Sequence, residues 1–224
     1  MCGRFVGYRK LEELYQHFTI DHVKCESFEN YNIAPAQKIL VIAQQEGKNI
    51  LDRFHWGLVP NWAKDKTIGT KLINARSETL STKASFRNAF KRRRCLIPAD
   101  GFYEWKTIKG IKQPYYFTLS NDKPFAFAGL WEIWTGENEA EFRSCTIITA
   151  DATESVKLVH HRMPVILKLD YYDQWLDAKN LNVSGIQKIL HDGIVTELSS
   201  WPVSSQVNSV KNNGPENIER ILLT

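Results

Sequence analysis

The sequence predicts an α+β fold, a single domain over residues 1–224 with a mainly antiparallel, barrel-like β-sheet core flanked by short helices. Three observations lead there. Residues 113–119, 124–134 and 141–149 are dense in aromatic and β-branched side chains, and turn-like tracts such as Ser120-Asn121-Asp122 and Thr135-Gly136-Glu137-Asn138 separate them. The segments with helical periodicity are short. No internal repeat, low-complexity tract or Gly/Ser/Pro linker divides the chain.

The elements follow from local pattern. Leu11, Leu14, Tyr15 and Phe18 share one face of a helix over residues 10–18. Residues 38–43 are a short apolar run and 50–58 mix apolar with polar positions, and both predict strands. Phe86, Ala89 and Phe90 form an apolar stripe on a helix predicted over 79–93. After the aromatic strands come a short helix over 153–159, with Thr153 as its N-cap, and a strand over 165–169. Helices over 170–178, 185–190 and 216–222 complete the chain.

Composition narrows the function classes. A chain with 43% hydrophobic and 24% charged residues is an ordinary globular one, and no apolar run is long enough to cross a bilayer. No signal-peptide pattern opens it, so an intracellular protein is expected. Cys2, Cys25, Cys95 and Cys145 are far apart with no CxxC pair, which argues against structural zinc and against a disulfide framework; no metal and no cofactor is expected. The net charge of +4 is compatible with a polyanionic partner, and Lys91-Arg92-Arg93-Arg94 concentrates it. That run suits either a phosphate contact or a helix end, where cations complement the dipole.

Candidate chemistry starts at Met1-Cys2-Gly3. Removal of Met1 makes Cys2 an N-terminal residue carrying an α-amine and a thiol two carbons apart. Their reference pKa values, about 7.7–8.0 and about 8.5, leave both partly deprotonated near neutrality. An aldehyde meeting such a residue forms an imine with the amine, and the thiol closes a five-membered thiazolidine. Three further segments place polar groups on strands or turns. Asn74 and Arg76 share a face if residues 72–79 are extended. Glu104 lies among aromatics in Phe102-Tyr103-Glu104-Trp105, where desolvation raises a carboxyl pKa toward that of a proton shuttle. His160-His161 sits between a helix and a strand.

Taken together, the motifs resemble the SRAP domain family of SOS-response-associated, abasic-site-processing proteins. They are Cys2-Gly3-Arg4-Phe5, Tyr31-Asn32-Ile33-Ala34-Pro35, Trp56-Gly57-Leu58-Val59-Pro60 and Ile73-Asn74-Ala75-Arg76-Ser77-Glu78-Thr79, then Asp100-Gly101-Phe102-Tyr103-Glu104-Trp105, His160-His161-Arg162-Met163-Pro164 and Val210-Lys211-Asn212. The resemblance implies single-stranded DNA containing abasic sites as partner and a covalent thiazolidine link through Cys2. It also implies that lyase chemistry at the imine stage, self-cleavage or reversal of the link can accompany capture. Carried onto this chain, Asn74 orients the Cys2 amine or the sugar, Glu104 shuttles protons, and His160 is the acid/base at a sugar hydroxyl, with Thr149 behind them. Arg4, Arg76 and Arg162 contact phosphates, helped by Asn32, Pro35 and Lys211. Trp62 stacks on a base or wedges beside the lesion, although Ala63 stands where some relatives have a second tryptophan. The expected protein is a monomer without membrane contact, cytoplasmic and nucleoid-associated in a bacterium or phage and nuclear in a eukaryote. Two other classes compete. Class II glutamine amidotransferases also begin Met-Cys-Gly, and a non-catalytic single-strand-binding module would need only the basic residues.

Overall fold

The computed structural model describes residues 2–26, 29–136, 140–179 and 182–223. In chain order its strands are β1 (Phe5–Gly7), β2 (His22–Val23), β3 (Asn30–Ile33), β4 (Lys38–Gln45), β5 (Lys48–Trp56), β6 (Asn74–Arg76) and β7 (Arg94–Ala99). There follow β8 (Gly101–Ile108), β9 (Ile111–Thr118), β10 (Phe125–Thr135), β11 (Glu141–Asp151), β12 (Arg162–Pro164), β13 (Ile166–Leu167) and β14 (Ser199–Pro202). The helices are α1 (Leu11–His17), α2 (Arg87–Arg92), α3 (Glu154–Lys157), α4 (Tyr172–Leu176) and α5 (Val183–Asp192).

The period-2 pattern of the long strands closes a barrel. Antiparallel pairings join β5 to β4, β4 to β7, β7 to β10 and β10 to β11. A parallel pairing of β11 with β5, through Ser144↔His55 and Cys145↔Trp56, shuts the ring. Alternate side chains then point inward: Ile39, Val41 and Ala43 from β4, Cys95, Ile97 and Ala99 from β7, Phe125 and Phe127 from β10, Cys145 and Ile147 from β11. Their neighbours Ile42, Leu96, Ala126, Ala128, Leu130 and Ile148 point outward and are covered by Leu14, Phe90, Trp175 and Ile186 from four of the helices. Gly129 lies where β7 crowds β10; a Cβ there would come within 2.8 Å of the Cys95 sulfur.

A second sheet, in the order β14-β9-β8-β1-β3, packs onto this barrel. Phe5 of β1 meets Trp56 at 5.3 Å and Phe127 at 5.6 Å between ring centroids, both edge to face. β1 therefore seals barrel apolar surface, and the residue three places before it, Cys2, is drawn into the same core. The α+β barrel expected from sequence is the fold observed.

Three expected elements differ. Of the helix over 79–93 only α2 forms, after a 3-10 turn at Ser77–Thr79. Thr79 and Thr82 return their hydroxyls to the carbonyls of Arg76 and Thr79, a local alternative to helix. The helix over 216–222 is only a 3-10 turn at Pro215–Ile218, because Ile221 donates to the Pro202 carbonyl and Arg220 bridges Val203. The strand over 165–169 is cut to β13, since the Lys168 amide bonds Gly193.

The basic run divides in two. Arg94 is buried and donates to the carbonyls of Trp175, Phe90, Lys91 and Asp177, thereby satisfying the C-terminal end of α2 from inside. Arg93 pairs with Glu132 at 3.0 Å, whereas Lys91 and Arg92 face solvent. No helix among the described residues is long and apolar enough to cross a membrane.

Candidate active site

Cys2 is wholly buried, with its Sγ 3.9 Å from the Arg4 carbonyl. Burial, and secondly the negative charge of Glu104, push the thiol far above its ordinary range, so it rests protonated. Asn74 enters from β6, which pairs in parallel with β11 and stands opposite Ile147. Its Nδ2 donates to the Cys2 carbonyl at 2.8 Å. Asn74 thus holds the Cys2 main chain. Its Oδ1, and the Oγ1 of Thr149 along the same β11 edge, are buried without a hydrogen-bond partner among the described residues.

Glu104, on β8 opposite Tyr115, is 3% exposed. Burial lifts its carboxyl to about 7, against the pull of the chain's amino-terminal charge and of His161. Near neutrality it is populated in both protonation states, as a proton shuttle requires. His160 follows α3, and its Nδ1 lies 3.0 Å from both the amide nitrogen and the carbonyl oxygen of Arg162. A bare Nδ1 accepts from that amide and a protonated one donates to that carbonyl, so the ring changes charge without losing its seat. Burial lowers its pKa, as does the neighbouring positive charge. His161 stacks on it at 4.5 Å and is exposed.

Glu104 and His160 line one cavity of about 540 Å³, together with Gly3, Arg4, Trp105, Thr107 and Lys112. Cys2 precedes Gly3 of that lining in the chain, and Asn74 bonds the Cys2 carbonyl. Of the four residues expected to carry chemistry, Glu104 and His160 share the cavity, and Cys2 and Asn74 are joined to each other next to its Gly3 wall. A separate hollow of about 340 Å³, among Phe18, Asn49 and Tyr172, holds none of them.

The residues expected on DNA scatter in their availability. Arg4 faces the cavity, and its guanidinium bonds Asn32 Oδ1 at 2.7 Å, the Val207 carbonyl at 2.7 Å and the Asn208 carbonyl at 3.1 Å. Asn32 is buried, and its Nδ2 reaches the carbonyls of Val207, Ser209 and Asn212, tying the C-terminal segment to β3. Arg162, which the resemblance puts on a phosphate, is turned inward. It grips Glu78 at 2.6 and 3.1 Å, Asp151 at 2.7 Å and the Thr149 carbonyl at 2.8 Å, because β12 pairs directly with β11. Arg76 and Lys211 are exposed, Pro35 half-buried in the turn after β3. Trp62 is 54% exposed and borders a hollow with Lys64 and Lys71.

Trp105, Thr107 and Lys112 are cavity residues that sequence reasoning missed. The signal for Lys112 is the Lys109-Gly110 turn, with φ of 50° and 83°, which sets a two-residue hairpin and places Lys112 opposite Thr107.

A closed barrel capped by a sheet that presents a buried N-terminal-region cysteine to a dehydrated carboxylate and an imidazole defines a cysteine-centred, barrel-fold protein. The chain belongs to the SRAP family: the model described as SOS response associated peptidase (SRAP) matches residues 1–210. It is similar to the abasic site processing protein YoqW of Bacillus subtilis, at 43% identity over 98% of this chain and 99% of that protein. The similarity to YedK of Escherichia coli is 30% identity over 99% and 100% of the two chains. To HMCES of Xenopus tropicalis it is 32% over 79% of this chain and 59% of that protein. Among solved structures, a protein from Bacteroides thetaiotaomicron shares the fold with a TM-score of 0.83 at 22% identity, covering 99% and 100% of the two chains. A phage-related protein from Bordetella bronchiseptica gives 0.71 at 30%, covering 90% and 94%.

Proposed function

We propose that this protein processes abasic sites in DNA, and that with Met1 removed it captures the abasic deoxyribose of a single strand as a thiazolidine on Cys2. The observation that carries the reading is the placement of the buried Cys2, held through its carbonyl by Asn74, next in the chain to Gly3 of a cavity lined by Glu104 and His160. The names of the relatives support the substrate class.

The opened sugar carries an aldehyde at C1′. The Cys2 amine adds to that carbon and water leaves, giving an imine. The thiol then adds across the C=N bond: sulfur bonds C1′ and the thiol proton ends on nitrogen. Glu104, poised at about 7, donates a proton to the departing hydroxyl and, once ionised, accepts the one the thiol must give up. Because the thiol rests protonated, the amine reacts first. His160 exchanges a proton at a sugar hydroxyl, and its double contact with Arg162 supports both charge states. Asn74 fixes the Cys2 carbonyl and hence the direction of the amine. Ring closure consumes the imine from which strand cleavage by β-elimination would proceed, so slow closure leaves a lyase.

Intact-mass spectrometry tests this directly. The purified protein is expected to lack Met1 and, with an abasic oligonucleotide, to gain the oligonucleotide mass less one water. Cys2→Ala is expected to give no stable adduct; the same adduct at full yield from that variant would end the proposal. Glutamine hydrolysis by the purified protein would instead favour an amidotransferase.

A further inference from the structure

The bond between Asn74 and the Cys2 carbonyl joins two chain segments that have little sheet to hold them. β6 is three residues long and, among the described residues, pairs with β11 alone. Cys2 lies before the first residue of β1, outside the strand pairings of the described residues. The reach from one to the other therefore depends on side chains, and one buried side chain touches both segments. Trp56, the last residue of β5, is fully buried, and its indole Nε1 donates to the Ile73 carbonyl at 2.9 Å. Its ring meets Phe5 edge to face, with centroids 5.3 Å apart. Ile73 immediately precedes Asn74, and Phe5 stands three places after Cys2.

This is the geometry of a strut. The Ile73 carbonyl belongs to the planar peptide unit that ends at the Asn74 Cα, so holding its oxygen fixes the direction in which the Asn74 side chain leaves. The Ile147 amide donates to the same oxygen at 3.1 Å, so strand and indole hold it together. The indole in turn is anchored. The Trp56 amide donates to the Gln37 carbonyl and its carbonyl accepts from the Ala36 amide, each at 2.9 Å. Gly57 turns the chain next, at a φ of 138°, and a Cβ there would come within 2.7 Å of the Gly69 carbonyl oxygen. Beyond it the Leu58 amide donates to the Leu72 carbonyl at 3.2 Å. Residues 56–58 thus grip residues 72–73, while the same indole bears on Phe5 and so on the Cys2 end of β1.

We propose that Trp56 is a positioning residue for Cys2: its indole sets the separation of β1 and β6 at which Asn74 reaches the Cys2 carbonyl, and it acts on abasic-site capture through Asn74. The proposal rests on the reading of Cys2 as the capturing residue. It deepens that reading by adding a fully buried residue that does not line the cavity.

Trp175 supplies the control. It is an equally buried tryptophan whose Nε1 donates to a main-chain carbonyl, that of Cys95, at 2.9 Å, but it covers the outside of the barrel. Trp56→Phe is expected to slow capture at saturating abasic oligonucleotide roughly tenfold, as Asn74→Ala does, the worth of one hydrogen bond. Trp175→Phe, which removes the same kind of bond, is expected to stay within about twofold of the parent. In the Asn74→Ala background Trp56→Phe is expected to cost less than about twofold more, because residues acting through one contact are not additive. A Trp56→Phe variant at the parental rate, or a loss that multiplies in full with that of Asn74→Ala, overturns the proposal. If Trp56→Phe does not fold, replacing Trp56 by benzothienylalanine keeps both rings and removes only the N–H, and the same outcomes decide. A second readout stands apart from capture. The Asn74 side-chain amide signals in a heteronuclear NMR spectrum, assigned by their loss in Asn74→Ala, are expected to move when Trp56 is replaced and to stay in place in Trp175→Phe. Unmoved signals overturn the strut. A parent that forms no adduct while those signals move refutes capture and leaves the strut standing.

Discussion

Two regions flanking the cavity, one at Cys2 and one at Arg162, solve opposite problems. At Cys2 the polar groups are dehydrated: a protonated thiol, a carboxyl lifted to about 7, and the Oδ1 of Asn74 and Oγ1 of Thr149, which have no hydrogen-bond partner among the described residues. Near His160 the guanidinium of Arg162 is held by Glu78, Asp151 and the Thr149 carbonyl, and its main chain seats the imidazole. The difference teaches how readiness and rigidity are divided. Groups that must change protonation or bond state are kept dehydrated at one corner, and an arginine fork holds the other in place. An unsatisfied buried polar group costs about 1–3 kcal/mol, so the first corner exists at the expense of stability, and the second helps to offset it.

The largest expected effect is at the first corner. Glu104→Gln should slow adduct formation by about 10² to 10⁴, the usual range for a positioned acid/base, in a timed gel assay. A loss below about threefold would make Glu104 a structural carboxyl. The same variant has a pH consequence. Burial raises the Glu104 pKa from 4.5 to about 7, so the folded state holds this proton more tightly than the unfolded chain does. Its contribution to stability is fully present below about pH 4.5 and is lost as pH rises through about 7. Chemical denaturation across that window should show a falling stability that Glu104→Gln flattens.

The second corner is probed by Arg162→Met. Glu78 and Asp151 are half-exposed and exposed and regain water, whereas the Thr149 carbonyl loses its donor. A loss of about 1–3 kcal/mol in urea denaturation is expected, with part recovered by Arg162→Lys. An unchanged stability with reduced DNA affinity would return Arg162 to a phosphate role and erase the contrast. Smaller again is Asn74→Ala, which removes the bond to the Cys2 carbonyl; capture should slow roughly tenfold, matching one hydrogen bond of about 1–1.5 kcal/mol, with fold intact. Smallest is Arg76→Ala. This exposed residue lies two positions beyond Asn74, so the salt slope of DNA binding should drop by about 0.7 while the rate of capture at saturation is unchanged.

Much of the barrel was legible because its strands alternate. Ile39, Val41 and Ala43 announce one buried face whatever lies across from them. The burial of Glu104 was legible from its neighbours, since its flanking aromatics predict a dry strand. The helix over 79–93 misled because an apolar stripe says nothing of the threonine hydroxyls that hold its first half in turns. Lys112 escaped notice because it joins the cavity only through a hairpin register.

The sequence by itself determined which chemistry is available: a second-position cysteine beside glycine, a carboxyl among aromatics, an imidazole after a short helix, and alternating strands able to close a barrel. Only the tertiary structure decided how each is used. Arg4 and Arg162 read alike in sequence, yet one is held beside the cavity by an amide oxygen and main-chain carbonyls and the other is locked to two carboxylates. The reason is physical. Backbone pattern depends on neighbours a few residues away, whereas burial, charge pairing and pKa depend on groups brought together from distant parts of the chain, as Glu78 is to Arg162 and Asn74 to Cys2.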